Sequence, residues 1–229
     1  MSLKKKYRIE KISLQSAKML LDKFHYLNMV GGCRYGINFG IFDNYTNALV
    51  GVSIFHTPSA KEIYKGCFGI NTYNIDGVFE LGRLCINPAN FEKNITSFFL
   101  SGSIKLLRKY KQVKAILTYA DNGHHLGFIY QATNFKYYGL TDKKKDFFID
   151  NGNGTTTKLQ RGKCKHLKGE WVDKNQKHRY LLIFDKQLHC IWTEMKYPKG
   201  EQIAPMNSSL QSQYSDVLMP IESIQQKLF

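Results

Sequence analysis

KAILTYADNGHHLGFIYQATNFKYYG, residues 114–139, decides how the chain is read. Ala115-Ile116-Leu117-Thr118-Tyr119 is apolar and β-branched, which suits a buried strand. Asp121-Asn122-Gly123 then breaks the chain. Beyond the break, Leu126, Ile129, Tyr130 and Thr133 recur at helical spacing, and Phe135-Lys136-Tyr137-Tyr138-Gly139 reads as a further strand. A buried strand ending in Asp places polar groups at its C-terminal edge, where open α/β sheets bind ligands. Asp121 or Asn122 can equally serve as a helix N-cap, satisfying free backbone N–H groups.

Upstream, residues 7–13 alternate well enough for an edge strand, and Ser13 or Ser16 can cap a helix with Ala17, Leu20, Leu21 and Phe24 on one face. His25 and Tyr26 follow, leading into Gly31-Gly32 and Arg34. Residues 35–43 and 48–58 form a predicted hairpin, and 59–78 an irregular loop. Phe79-Glu80-Leu81-Gly82-Arg83-Leu84-Cys85-Ile86 reads as a strand. Simple alternation sets Phe79, Leu81, Arg83 and Cys85 on one face, with Glu80 on the other. Charges in so apolar a strand need partners or a site, since unpaired burial is costly. A polar loop leads to a helix capped by Asn94 or Thr96 and running to about Tyr110; its N-terminus, with Ser97, Ser101 and Ser103, favours an anion.

Downstream, residues 140–169 form a basic insertion or hairpin holding Lys143, Lys144, Lys145, Lys158, Arg161, Lys163, Lys165 and Lys168. Residues 177–186 form the last strand. Residues 1–196 are expected to make one catalytic domain, and 197–229 a polar tail with a short helix in 220–228.

The chain has 229 residues, 33 Lys plus Arg and 18 acids, a net charge of +15. Such a field draws polyanions, with nucleic acid ahead of an anionic membrane. Five cysteines without a CxxC spacing suit a reducing cytoplasm rather than a disulfide scaffold. No signal peptide or membrane span is visible. Cys164, His166, His178, His189 and Cys190 lack zinc-finger spacing. No HNH pattern or clustered carboxylates suggest a nuclease.

The order β-α-β-β-β-α-β-α-β resembles the GNAT acetyltransferase fold, a mixed α/β (α+β) architecture. Its central sheet is mostly antiparallel and flanked by helices. In that family the fourth and fifth strands splay apart around acetyl-CoA, and the pyrophosphate sits on the loop that starts the next helix. The resemblance would place those strands at 79–86 and 114–120 and the loop at 88–97. The loop, Asn87-Pro88-Ala89-Asn90-Phe91-Glu92-Lys93-Asn94, departs from the family's Gln/Arg-x-x-Gly-x-Gly/Ala.

More specifically, His25-Tyr26-Leu27, Glu80–Leu84, Ser97–Leu100, residues 119–139 and Lys177–Tyr180 resemble the Mom family of phage DNA-modification proteins. That resemblance implies a phage- or prophage-encoded enzyme converting DNA adenine to N6-carbamoylmethyl (acetamido) adenine, which shields phage DNA from restriction. Acetyl-CoA and an iron ion are implicated in that chemistry. It implies Asp121, Tyr130, His25 and Tyr26 as catalytic residues, and Asn94, Ser97, Ser101 and Ser103 at the cofactor. A His, an Asp and an open position could also hold a non-haem iron, but no full facial triad is visible in the sequence. Arg34, Arg83, Lys136, Arg179 and Lys143–Lys145 would hold double-stranded DNA, with Tyr137 and Tyr138 as stacking faces. Two other functions fit parts of the pattern: an acetyltransferase acting on a protein or small amine, and a non-catalytic DNA-binding module.

Overall fold

A computed structural model of the protein describes residues 2–27, 30–33, 35–159, 164 and 166–200. Arg34, Arg161, Lys163, Lys165 and the tail beyond residue 200, with its expected short helix, lie outside the described residues. Among the described residues there are five α-helices: α1 Leu3–Lys6, α2 Leu14–Phe24, α3 Lys61–Phe68, α4 Ile95–Tyr110 and α5 Phe128–Gln131. The strands run β1 Tyr7–Lys11, β2 Ile37–Asp43, β3 Leu49–His56, β4 Val78–Ile86, β5 Ala115–Asp121, β6 Lys136–Leu140, β7 Lys144–Asp150, β8 Thr156–Leu159, β9 Glu170–Lys174 and β10 Lys177–Ile183.

Seven strands make the main sheet in the order β1-β2-β3-β4-β5-β10-β6, and β8-β7-β9 make a second, small sheet. The fold is the mixed α/β, mostly antiparallel arrangement that the element order predicts. β4–β5 is the one parallel pair among the described residues. The last strand, β10, enters the sheet between β5 and β6.

Alternation along the strands divides the core. Ile116 and Ala120 of β5 face α4 with Phe99, Leu100, Leu107, Tyr130, Phe135 and Tyr180. Ala115 and Leu117 face the other way, toward Tyr64 and Cys67 of α3. Val52 and Ile54 of β3 share that second face with Ala17, Leu20 and Leu21 of α2. Each large side chain buried in these layers stabilises the fold by roughly 1.5–3 kcal/mol. Ser13 caps α2 by accepting from Ser16 N–H at 3.0 Å.

α3 corrects the reading of 59–78 as irregular loop. Tyr64, Cys67 and Phe68 lie at helical spacing and are buried. Gly69, in the left-handed region at φ 71°, ends the helix with its N–H on Lys65 O. The basic insertion is also more ordered than a hairpin, since β9 adds a third strand. Tyr197, assigned from sequence to a loose tail, donates to Phe135 O at 2.9 Å.

β4 holds the decisive irregularity. It pairs with β5 only from Val78↔Ala115 to Leu81↔Thr118, where Thr118 Oγ1 also donates to Leu81 O at 3.0 Å. Past that point β4 pairs with β3 and β5 with β10, so the two strands diverge. On the β3 side, Ile54 pairs with Arg83 and Phe55 with Leu81, which leaves Gly82 as an extra residue. This bulge reverses the alternation. Leu81, Leu84 and Ile86 face the α4 layer, whereas Cys85 faces α2. Glu80 and Arg83, read from sequence as lying on opposite faces, therefore share one.

Only glycine fits at the bulge, because a Cβ on Gly82 would collide with Cys33 Sγ and the His56 ring. Gly82→Val is expected to lower unfolding free energy by about 1–3 kcal/mol, the usual cost of overpacking. Urea denaturation measures this, and an unchanged midpoint would mean that Cys33 and His56 have room to move.

Candidate active site

The divergence of β4 and β5 leaves a gap in the main ladder past Leu81, on which side chains of both layers converge. α2 delivers one wall. Its C-cap, His25, is extended and buried, and Tyr26 stacks on it with ring centroids 4.6 Å apart. Leu27 N–H donates to His25 Nδ1 at 3.1 Å. Nδ1 therefore holds a lone pair, and a neutral ring carries its proton on Nε2. Burial, with Arg83 and His125 nearby, pushes the His25 imidazole down to about 4. Tyr26 is 48% exposed. Its other neighbour is His124, 4.8 Å away from the β5 side, so the two aromatic groups bridge the mouth. Burial and the Asp121 carboxylate hold the Tyr26 phenol above its ordinary range.

Asp121 ends β5 in a tight turn. Its Oδ1 accepts from Gly123 N–H at 2.9 Å, and its carbonyl accepts from His124 and His125 N–H at 2.9 and 3.0 Å. The carboxylate thus organises its own turn and is not a cap for α5, whose N-cap is Gly127. Asn122 Oδ1 lies 2.8 Å from His178 Nε2, and His178 Nδ1 lies 2.8 Å from Tyr137 Oη. Burial holds His178 below its ordinary range. A neutral His178 donates to Asn122 and accepts from Tyr137, which fixes the turn from beneath.

Inside the cleft, burial raises Glu80, while His56, Lys177 and Arg83 oppose the rise. His56 Nδ1 donates to Thr57 O at 2.9 Å, which leaves Nε2 toward the bulge. From the α4 side comes Tyr130, buried against Tyr180 (5.2 Å) and Phe135 (5.8 Å), with His125 6.4 Å away. Burial pushes its phenol up to about 12, so it is a neutral donor near pH 7.

The structure brings His25, Tyr26, Asp121 and Tyr130 to this one cleft. Asn94 stands at the N-cap of α4 in the left-handed region, φ 66°, without a side-chain cap. Ser97 Oγ donates to Asn94 O at 3.0 Å, and Ser101 is exposed. Ser103 does not reach a cofactor: it is fully buried two turns into α4, bonded to Ser53 at 3.0 Å.

Among the DNA contacts read from sequence, several change place. Arg83 lies in the cleft, acting on His25, Tyr26 and Cys33, because the Gly82 bulge turns it inward. Tyr138 is buried, its ring 6.1 Å from Trp192, so it offers no stacking face. Tyr137 is likewise buried. Arg179, half-buried, packs over Trp192 at 4.6 Å with its Nε buried. Lys136 is exposed and paired with Glu194 at 2.7 Å. Lys143, Lys144 and Lys145 are exposed, and Lys145 lies 3.6 Å from Asp173.

The sequence reading gave no role to His56, His124 or His125, and it weighed Asn122 as a helix cap and His178 as a zinc ligand rather than as a bonded pair. The His124-His125 pair directly after the turn was the available signal. Among the described residues no group of three His, Cys, Asp or Glu side chains could hold a metal. The donor set thus does not fit iron. For acetyl-CoA the structure offers β4 backbone free of the β5 ladder past Leu81 and an α4 N-terminus without a side-chain cap.

His25 makes stability depend on pH. Its folded-state value lies below the ordinary 6.5, so the unfolded chain binds the proton first. Stability is full above about 6.5 and falls as pH drops toward about 4, with His125 and His178 acting in the same direction. By pH about 5, His25 alone should cost about 2 kcal/mol. Thermal melts should show that loss, and His25→Gln should remove part of the slope.

No curated protein matches the chain. Among solved structures it is similar to a Bacillus subtilis acetyltransferase in complex with CoA (14% identity, 78% of this chain and 99% of that one, TM-score 0.47). It is also similar to an Elizabethkingia anophelis GNAT family acetyltransferase with acetyl-CoA bound (15%, 78% and 99%, TM-score 0.45). A third is the Escherichia coli ribosomal-protein-S18-alanine N-acetyltransferase (10%, 78% and 94%, TM-score 0.45). The model of the Mom protein family matches residues 6–199, nearly the whole described chain, and the chain belongs to that family.

Proposed function

We propose that the protein is a DNA-modifying transferase that attaches a carbamoylmethyl group to the N6 amine of adenine, shielding phage DNA from restriction. The observation that carries this reading is the half-exposed Tyr26 ring, held between His25 and His124 at the mouth where Asp121 ends β5. A base taken out of a duplex needs a flat partner and hydrogen-bonding groups at its edge. Family membership and the net charge of +15 support DNA as the substrate.

In this reading residues 1–196 act as one catalytic domain. Asp121 accepts a hydrogen bond from the exocyclic amine and takes the proton that this amine loses on substitution. Tyr130, neutral and buried, donates a hydrogen bond to the group being transferred. Neutral His25 presents Nε2–H to the site, and Arg83 supplies a fixed positive charge beside it. Acetyl-CoA, bound between the diverging strands, would supply only two carbons: an amine donor would displace the CoA thiol at the carbonyl, and a two-electron oxidant would take the hydride equivalent lost where the methyl carbon joins N6. Asn94, Ser97 and the α4 N-terminus would meet the CoA phosphates.

Nucleosides from DNA of cells expressing the protein, analysed by mass spectrometry, test the reading. The expected result is an adenine derivative heavier by one carbamoylmethyl group. Asp121→Asn should reduce it at least about a hundred-fold, the usual scale for a lost general base. Unmodified DNA from cells holding folded protein would refute the reading. Acetylated protein or amines in its place would favour an acetyltransferase with another acceptor.

A further inference from the structure

The small sheet is fastened to the mouth of the cleft. Asn175 and Gln176 alone join β9 to β10. Asn122 N–H donates to Gln176 O at 3.1 Å, and Gln176 Nε2 donates to Thr141 O at 2.6 Å. Lys177 opens β10 directly opposite Asp121. Whatever the base of the small sheet binds is therefore held beside Asp121.

One face of that base collects lysines. Residues paired across antiparallel strands project from the same face. Lys174 pairs with Lys144 and Val172 with Asp146, while Lys158 pairs with Phe148, two residues along from Asp146. Asp146 takes Lys158 at 2.5 Å and Lys174 at 3.9 Å. Burial and the charges of Lys158, Lys177 and Lys144 hold Lys174 below its ordinary range, with Asp146 opposing. Of the other acids of this face, Glu170 shares the Phe148 rung with Lys158, two strands away, and Asp150 lies beyond them, accepting from Gly152 N–H at 2.8 Å. Lys145 sits on the opposite face near Asp173, beside the Phe147–Trp171 contact. Lys177 also acts inward, on Glu80 in the cleft.

Two lysines directly opposite one another destabilise a sheet. Asp146 pairs with Lys158 and Lys174, while Lys144 and Lys177 add their repulsion at Lys174, so the cluster holds more positive charge than this carboxylate offsets. The succession from Lys158 through Lys174 and Lys144 to Lys177 suits a polyanion with spaced charges better than one small anion. We propose that Lys144, Lys158, Lys174 and Lys177 form a phosphate clamp gripping the backbone of duplex DNA beside the nucleotide whose base enters the cleft. This rests on the DNA reading above and adds which surface holds the duplex. The clamp positions the strand and takes no part in bond making.

Fluorescence anisotropy of a labelled duplex, titrated at several salt concentrations, tests it. Lys144→Gln/Lys158→Gln/Lys174→Gln should weaken binding about ten-fold or more at low salt. It should also reduce the slope of log K against log salt by roughly 2–3, near one per lost phosphate contact. A charge-matched control, Lys4→Gln/Lys5→Gln/Lys109→Gln, removes exposed lysines elsewhere and should change the slope by less than about 1. The clamp variant loses lysine repulsion and also the two Asp146 ion pairs, small opposing effects at this exposure, so its melting temperature should stay within about 5 °C of wild type. Wild type that binds duplex with both variants alike would overturn the clamp alone. Wild type that fails to bind duplex would overturn the DNA reading beneath it. Lost binding to anionic phosphatidylglycerol vesicles, with duplex binding intact, would assign the surface to a membrane and overturn the clamp.

Discussion

The site depends on one extra residue in β4. Gly82 has no counterpart on β3, and the ladder to β5 ends one residue before it. Had β4 stayed regular, Arg83 would face the α4 core with Leu81, and Glu80 would be left without it. The bulge sets both charges on the α2 face and lets Cys33 and His56 pack against a backbone without a side chain. A bulge bends its strand and increases local twist, and here it coincides with the parting of β4 from β5. The cleft is thus a property of backbone geometry before any catalytic group is placed in it.

Electrostatics then follow from that geometry. Arg83 and burial keep His25 neutral, and burial keeps Tyr130 and Tyr26 protonated. Glu80 is burdened by burial but faces His56, Lys177 and Arg83. A site with neutral His25 and Tyr130, a fixed Arg83 charge and a carboxylate at its rim suits proton removal from an amine whose base must leave water to react. The relay Tyr137–His178–Asn122 gives that rim its rigidity, reaching from β6 through β10 to the turn.

Much of the fold was legible because periodicity reports burial. The main-sheet strands, α2 and α4 follow their apolar patterns, and Asp121 was placed at a strand end by the break after Tyr119. α3 escaped because its apolar positions, Tyr64, Cys67 and Phe68, are few and sit among Lys, Gly and Asn. The faces of β4 were misread because alternation assumes a regular strand, and a lone glycine within one was the cue. Ser103 was misassigned for a related reason. Hydroxyls along a helix read alike in sequence, yet Ser101 faces water and Ser103 meets Ser53. Tyr138 was misread as a stacking face because sequence does not reveal that Trp192 folds back against it.

The central claim is that the divergence of β4 and β5 is the cofactor cleft. Backbone amide chemical shifts recorded by NMR during titration with acetyl-CoA test it most directly. The account predicts saturable shifts in residues 82–86, 119–121 and the first turn of α4, reduced in Gly82→Val. Shifts confined to the small sheet or to the outer face of α4, with residues 82–86 and 119–121 unmoved, would contradict it.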